Sequence, residues 1–179
     1  MSLFYPRTMP ELIEPSIELR DSWLEASREW GTAYQEGSGL WDDDDVTTAE
    51  GFAAWLERLR RRSDDSREPD RVPATTWWIV EDGNYLGAIT LLSTLTEKLL
   101  EGGGHIGYGV RPSARGRGIA GWALGQVLEI ARSRGMERVL ITCDEDNKAS
   151  AKTIERNGGV LEDIRQTWLG PTRRYWIEL

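Results

Sequence analysis

The chain has 179 residues, of which 39% are hydrophobic and 29% are charged, a balance typical of a globular protein with one sizeable core. No segment provides the roughly 20 apolar residues of a membrane span, and residues 1–10 lack the apolar run of a secretory signal. The net charge of −8 disfavours nucleic acid as a partner and favours a cationic one. The single cysteine, Cys143, excludes an internal disulfide, and we expect a cytoplasmic protein without membrane contact.

The N-terminal part of the chain predicts a short strand and a first helix. The strand covers residues 11–14, and Ser16 is the predicted cap of the helix. Apolar residues then recur at helical spacing, and residues 37–45 are predicted as a loop. The apolar residues of this helix are Leu19, Trp23, Ala26, Trp30 and Ala33.

A second helix is predicted after this loop. Thr47 and Glu50 have the spacing of a capping box, in which each side chain bonds the backbone amide of the other residue. The apolar positions that follow indicate an amphipathic helix, and residues 60–73 are predicted as a polar, charged connection. These apolar positions are Phe52, Trp55, Leu56 and Leu59.

The middle of the chain has the composition of β-strands. Residues 75–81 and 85–93 are rich in β-branched and aromatic residues, and the turn Asp82-Gly83-Asn84 joins them as an antiparallel hairpin. Glycines 102–104 then lead into a third run, residues 105–110. This region therefore predicts three strands.

The C-terminal part alternates between the two patterns. The predicted elements are a loop at 111–116, a helix at 118–134, a strand at 139–143, a helix at 147–157 and two strands at 160–168 and 173–179. Together with the earlier elements they predict a mixed α/β (α+β) fold, a single domain over residues 1–179, with a crossover helix in its middle.

The segment Arg115–Ala120, of sequence RGRGIA, follows a strand and opens a helix. Glycines allow the backbone to approach a ligand, and the amides of a helix's first turn favour an anion. Residues 111–138 also hold six arginines and two acids within an acidic protein. The segment therefore predicts a phosphate site, with a solvated helix face as the alternative.

The same glycines fit a second motif. Gly116-x-Gly118-x-x-Gly121 matches the dinucleotide fingerprint, and Asp144 ends the next strand, where a ribose-binding acid would lie. Three features disfavour a dinucleotide. Residues 111–115 separate the strand from the first glycine, a single strand–helix unit follows the motif, and an antiparallel hairpin precedes it.

The motif R-x-x-G-x-A at residues 115–120 resembles the CoA-pyrophosphate loop of the GNAT superfamily of N-acetyltransferases. N-x-x-S at residues 147–150, ahead of a helix, resembles the superfamily's second conserved segment. Residues 104–159, together with the terminal residues 174–177, are similar to a bacterial branch of predicted acetyltransferases. The order of elements agrees over nearly the whole chain, and the motif match is weak before Thr75.

The resemblance implies a fold and an activity. The fold would be a central mixed, mostly antiparallel sheet of about seven strands, flanked by about four helices and splayed between strands 4 and 5. The activity would be transfer of an acetyl group from acetyl-CoA, a co-substrate, to a primary amine by direct attack in a ternary complex, without a metal. The acceptor would be a small-molecule or peptide amine. Homodimers are common among such relatives, and the alternative from another class is a non-catalytic acyl-CoA sensor.

The resemblance also implies site residues for the cofactor. The backbone around residues 109–111 would pair with pantetheine, the amides of residues 115–120 would hold the pyrophosphate, and Asn147 would contact the cofactor arm. Asn147 and Ser150 can equally act as helix caps. The implied cofactor-binding residues are Gly109, Val110, Arg111, Arg115, Gly116, Arg117, Gly118, Ile119, Ala120, Asn147 and Ser150.

Three residues are candidates for catalysis. The Val110 amide would stabilise the oxyanion, and His105, the single histidine, would assist proton removal unless its role is structural. Many GNAT members carry a tyrosine at the position of Ile154 as the acid for the leaving thiolate. Here Tyr108 would serve instead, the thiolate would leave without an acid, or Tyr108 would simply belong to the core.

Two acidic stretches are candidates for the acceptor site. Residues 144–146 follow a strand that faces the site, and Trp41 precedes four aspartates at residues 42–45. Residues 144–146 could bind a cationic acceptor or accept its proton, or they could be a solvated turn. Residues 41–45 could form part of an acceptor pocket, or they could be an exposed loop. Cys143 is expected to be an apolar core residue rather than a nucleophile, because no second histidine is present to activate it.

Overall fold

The computed structural model describes residues 9–64 and 72–179. Its elements, in chain order, are β1 (Glu11–Ile13), a 3₁₀ turn (Ile17–Leu19), α1 (Arg20–Trp30), α2 (Ala49–Asp64), β2 (Ala74–Glu81), β3 (Asn84–Leu92), α3 (Glu97–Glu101), β4 (Ile106–Val110), a 3₁₀ turn (Pro112–Ala114), α4 (Ile119–Ser133), β5 (Arg138–Asp144), α5 (Lys148–Arg156), β6 (Val160–Thr167) and β7 (Gly170–Glu178).

The seven strands form two antiparallel sheets with a mixed α+β arrangement of helices around them. The first sheet has the order β1-β2-β3-β4 and the second has the order β5-β7-β6. The division falls between β4 and β5, where the splay was expected. The mixed fold of about seven strands, split between the fourth and the fifth, is thereby confirmed.

The two faces of the first sheet pack into different cores. Period-two alternation sends Trp78 and Val80 toward α1 and α2, where they meet an aromatic cluster that includes Trp23 and Trp55. Ile79 points to the opposite face and packs with α4, α5 and the second sheet. The sheet is therefore covered on both faces. The edge of β4 that does not pair with β3 faces the split between the two sheets.

Several local predictions differ from the structure. Ser16 caps a 3₁₀ turn that leads into α1, rather than the α-helix itself. The hydroxyl of Thr48, not Thr47, accepts the Gly51 amide at 3.0 Å, because Thr47 is held by Asp45. The predicted capping box was therefore wrong by one residue.

Two further predictions concern element length. Residues 60–64 continue α2, whereas the sequence predicted that the connection begins at residue 60. The rest of that connection up to residue 71, and residues 1–8, lie outside the described part of the chain. The short helix α3, capped by Thr96, was not predicted, so the described residues hold five α-helices instead of about four. None of the helices in the described ranges is both long and apolar enough to cross a membrane.

Candidate active site

A cavity of about 780 Å³ occupies the split between β4 and β5. Strand β4, the start of α4 and helix α5 line it, and the loop between α1 and α2 borders it through Tyr34 and Glu36. Nine of the eleven predicted cofactor residues line the cavity. They are Gly109, Val110, Arg115, Gly116, Gly118, Ile119, Ala120, Asn147 and Ser150.

The free edge of β4 presents backbone groups to this cavity. In an antiparallel pair, alternate residues bond to the neighbouring strand, and the residues between them point away from it. His105 and Arg111 bond to Leu92 and Leu86 of β3, and the register between them places Gly109 in the same bonded set. The amides of Tyr108 and Val110 therefore point toward the split, as pantetheine pairing and an oxyanion donor both require.

The glycine segment leaves room beside the first turn of α4. Gly116 and Gly118 have φ values of 75° and 77°, and a Cβ placed on either would meet no atom within 4 Å. Gly118 caps α4 without a side-chain hydrogen bond, so the amides of the first turn have no partner from a cap. This open, amide-lined concavity fits a phosphate group.

The three predicted arginines lie in different places. Arg115 lines the cavity, donates to the Val110 carbonyl at 3.0 Å, and stacks on Trp30. The side chain of Arg117 lies outside the cavity, and its Nη2 donates to both carboxylate oxygens of Glu81, at 2.8 and 2.7 Å.

Arg111 is turned away from the cavity altogether. Its side chain is 7% exposed and bonds Glu29 and the Tyr85 carbonyl, while its amide bonds Leu86. The predicted pantetheine contact at Arg111 is therefore not available in this structure, because both its amide and its guanidinium are already engaged. The contact of Val110, whose amide points toward the split, stays a prediction.

Tyr108 and Ser150 form a hydrogen-bonded pair in the cavity. The Tyr108 hydroxyl lies 2.8 Å from the Ser150 hydroxyl, and burial raises the pKa of Tyr108 to about 12. Ile154 is fully buried in the core and does not line the cavity. Of the two tyrosines that line the cavity, Tyr34 and Tyr108, Tyr108 lies on β4 beside Val110, and its role as the proton donor stays a prediction.

Asn147 has one of the two roles that its sequence allowed. Its side chain accepts the Ser150 amide at 3.1 Å and so caps α5. It also lines the cavity, so a contact with the cofactor stays a prediction.

His105 lies at the point where the two sheets meet rather than in the cavity. It is 8% exposed, its Nδ1 accepts the Leu140 amide at 2.8 Å, and its own amide donates to the Leu140 carbonyl at 2.7 Å. Burial lowers its pKa from 6.5 to about 4. The ring is therefore neutral and engaged, which suits a structural role.

Sequence reasoning missed three charged residues of the cavity. Lys152 and Arg156 lie one turn apart on α5, and Asn157 beside them approaches Gly121 at the start of α4. Glu36 comes from the loop after α1, and its pKa is raised by burial and by Asp144. The four-residue spacing of Lys152 and Arg156 on a predicted helix could have placed them on one face, whereas no sequence pattern marks Glu36 as a cavity residue.

The cavity is therefore polarised. Cations gather with the glycine segment at one end, and the carboxylates of Glu36 and Asp144 interact at the other. Asp144 belongs to the first predicted acidic stretch. The second stretch lies elsewhere: Trp41 does not line the cavity, and Arg58 already stacks on its ring at 3.7 Å.

Comparison with known proteins gives a family match over most of the chain. Residues 15–160 match the sequence profile described as Acetyltransferase (GNAT) domain. No curated protein matches the chain.

Solved structures with the same fold include the microcin C7 self-immunity acetyltransferase MccE in complex with acetyl-CoA and AMP. It has a TM-score of 0.71 and 17% identity over 95% of this chain and 92% of that chain. The ribosomal L7/L12 alpha-N-protein acetyltransferase RimL with coenzyme A has a TM-score of 0.72 and 18% identity over 96% of this chain and 95% of that chain. An acetyltransferase from Salmonella typhimurium that modifies the N-terminal serine of L7/L12 gives 0.69 and 18%, over 96% of each chain.

Proposed function

Because the chain belongs to the GNAT acetyltransferase family, we propose that it transfers the acetyl group of acetyl-CoA to a primary amine by direct attack in a ternary complex. The observation that carries this proposal is the free β4 edge at Tyr108 and Val110, inside a cavity that is cationic at one end and acidic at the other. An anionic donor and a cationic acceptor would enter such a cavity from opposite ends.

The residues present fit acetyl-CoA. Amides of the first turn of α4 would hold the pyrophosphate, and Arg115 would add a charge-assisted hydrogen bond. Lys152 and Arg156 of α5 also line the cavity and would bind further phosphate oxygens. The structures of MccE and RimL that share this fold contain acetyl-CoA and coenzyme A, respectively.

Two groups of the chain would act on the thioester. The Val110 amide would donate to the thioester oxygen, where negative charge develops as the amine attacks. The Tyr108 hydroxyl, with a pKa of about 12, is protonated at neutral pH and would give its proton to the departing sulfur. The hydroxyl of Ser150 fixes the orientation of Tyr108.

Calorimetry of the purified protein with acetyl-CoA tests the first half of the proposal, with NADH as the control ligand. We expect micromolar affinity for acetyl-CoA and none for NADH, because the glycine segment lies beside a pantetheine-sized split rather than a parallel-sheet crevice. Preference for NADH would return the segment to its dinucleotide interpretation.

The second half is tested by following thiol release with a panel of small amines and peptides that have a free N-terminus. Release that depends on both substrates supports catalysis. Tight acetyl-CoA binding without release on any amine would favour the sensor alternative.

A further inference from the structure

The loop between α1 and α2 lies directly on β4. A Cβ placed on Gly37 would be 2.6 Å from the Gly107 carbonyl oxygen, and one placed on Gly107 would be 2.6 Å from Oε1 of Glu36. Gly109 likewise has no room for a side chain, since its Cβ would lie 2.6 Å from the Glu36 carbonyl oxygen. Glycines on both partners thus allow this contact, which holds the carboxylate of Glu36 over the strand that carries Tyr108 and Val110.

The groups around Glu36 favour the binding of a cation at its carboxylate. The Glu36 side chain is exposed to the open cavity, yet the protein atoms around its carboxylate and the field of Asp144 both raise its pKa. The titratable groups that face it are Tyr34 from its own loop, Tyr108 from β4 and Asp144 from β5. Among the residues that the structure describes, no salt bridge to Glu36 is present.

We propose that Glu36 binds the acceptor as a protonated primary alkylamine and takes its proton, which makes Glu36 a catalytic residue of the proposed acetyl transfer. The inference rests on that function and deepens it by naming the base and the class of acceptor. A carboxylate is the group that can both attract an ammonium and remove its proton.

The proton and electron balance of the step is simple. One proton passes from the ammonium to Glu36 and then to solvent, and the freed nitrogen lone pair forms the C–N bond to the thioester carbon. The C–S bond breaks with its electron pair on sulfur, which takes the proton of Tyr108. The second N–H proton leaves as the amide forms and restores the Tyr108 hydroxyl.

The mouth of the acidic end suggests which alkylamine to use as a probe. Tyr34 and Leu169 line the cavity and are 64% and 47% exposed. These apolar surfaces would flank the substituent of the amine, so phenethylamine is a suitable acceptor. Its β,β-difluoro analogue has nearly the same shape but is far less basic, so much more of it is neutral at pH 7.

The test compares the wild type and Glu36→Gln on both amines at pH 7, with thiol release as the readout. A general base contributes about 10²–10⁴-fold, so we expect kcat/KM for phenethylamine to fall by at least about 100-fold. The difluoro analogue needs no base, so its rate should fall by less than about 10-fold. Acetyl-CoA affinity should not change, and Glu137→Gln, an exposed carboxylate outside the cavity, should behave as the wild type.

A second variant reads out the titration of Glu36 itself. Asp144 raises the pKa of Glu36, so Asp144→Asn should move the acid limb of the kcat/KM profile for phenethylamine to lower pH. Glu36→Gln should remove that limb.

The outcomes distinguish a failure of the role proposed for Glu36 from a failure of the proposed acetyl transfer. Equal losses on the two amines, or no loss on either, would overturn the role of Glu36 as a base. Acetyl-CoA binding without transfer to either amine would overturn the class of acceptor. Failure of the wild type to bind acetyl-CoA would instead overturn the proposed function.

Discussion

Arg115 and Arg117 flank the same glycine, yet the structure gives them different surroundings. The Arg115 guanidinium is inside the cavity, whereas that of Arg117 is paired with Glu81, whose carboxylate is 12% exposed. Two arginines that the sequence motif treats alike are therefore expected to differ in their effect on the cofactor.

We predict that Arg115→Ala weakens acetyl-CoA binding by about 10-fold, because one charge-assisted hydrogen bond to phosphate is lost. Arg117→Ala should change the affinity by less than about 3-fold, since its side chain is already engaged. Calorimetry of both variants measures the difference. Equal effects of the two substitutions would contradict the assignment of the phosphate contact to Arg115.

At the residue scale, sequence could predict what is local. The glycine segment and the pair Asn147 and Ser150 each form a short contiguous motif, and apart from Arg117 the residues of both motifs line the cavity. Glu36 could not be predicted, because it meets β4 only through a contact about 70 residues away in the chain. Arg111 was misplaced for the same reason, since its partner Glu29 lies 82 residues before it.

At the scale of elements, helix α1 is fastened to the end of β4 by Glu29. Its carboxylate accepts from the Arg111 guanidinium and from the Ser113 amide and hydroxyl, each at 2.9–3.0 Å. Hydrogen bonding to Arg111, followed by the bonds from Ser113, lowers the pKa of Glu29 from 4.5 to about 2. This cluster fixes where the loop after α1 begins, and so where Glu36 lies.

Replacing Glu29 by Gln should lower the free energy of unfolding at pH 7 by about 1–3 kcal/mol, because Arg111 is left buried with a weaker partner. A carboxyl with a depressed pKa stabilises the fold above its unfolded pKa and loses that effect as pH falls. The difference in free energy of unfolding between the wild type and Glu29→Gln should therefore decrease as the pH falls from 4.5 toward 2.

Urea unfolding at pH 7 and at pH 3 measures this gap. Glu25→Gln is the matched control, since Glu25 also contacts Arg111 but is 67% exposed and should contribute less than about 1 kcal/mol. A gap for Glu29→Gln that does not change with pH would contradict the ion pair as its cause.

The element order was predictable because each strand and helix has its own periodicity. The division into two sheets was expected from the family resemblance alone, since no local pattern in β4 or β5 reveals that the two strands do not pair. Helix α3 was missed because its five residues are too few to show a helical repeat.

At the scale of the whole molecule, the two sheets diverge from a junction at which His105 bonds Leu140 in both directions. The cavity exists because the strands separate beyond this point. The histidine is therefore expected to hold the split at its closed end, and its substitution should affect stability rather than proton transfer.

His105→Leu removes the acceptor of the buried Leu140 amide and should lower the free energy of unfolding by about 1–3 kcal/mol at pH 7.5. Burial depresses the pKa of His105 from 6.5 to about 4, so the unfolded chain binds the proton first as pH falls. The wild type should therefore lose stability between pH 6.5 and about 4, and His105→Leu should lack this dependence.

His105→Gln separates the structural role from a catalytic one, because its side-chain oxygen can still accept the Leu140 amide. We expect this variant to recover part of the stability lost in His105→Leu and to keep the wild-type pH profile of acetyl transfer, as measured by urea unfolding and thiol release. Loss of the profile with stability intact would instead return His105 to the role of a base. In that case the proton would have to travel from the cavity to a residue that is 8% exposed and does not line the cavity.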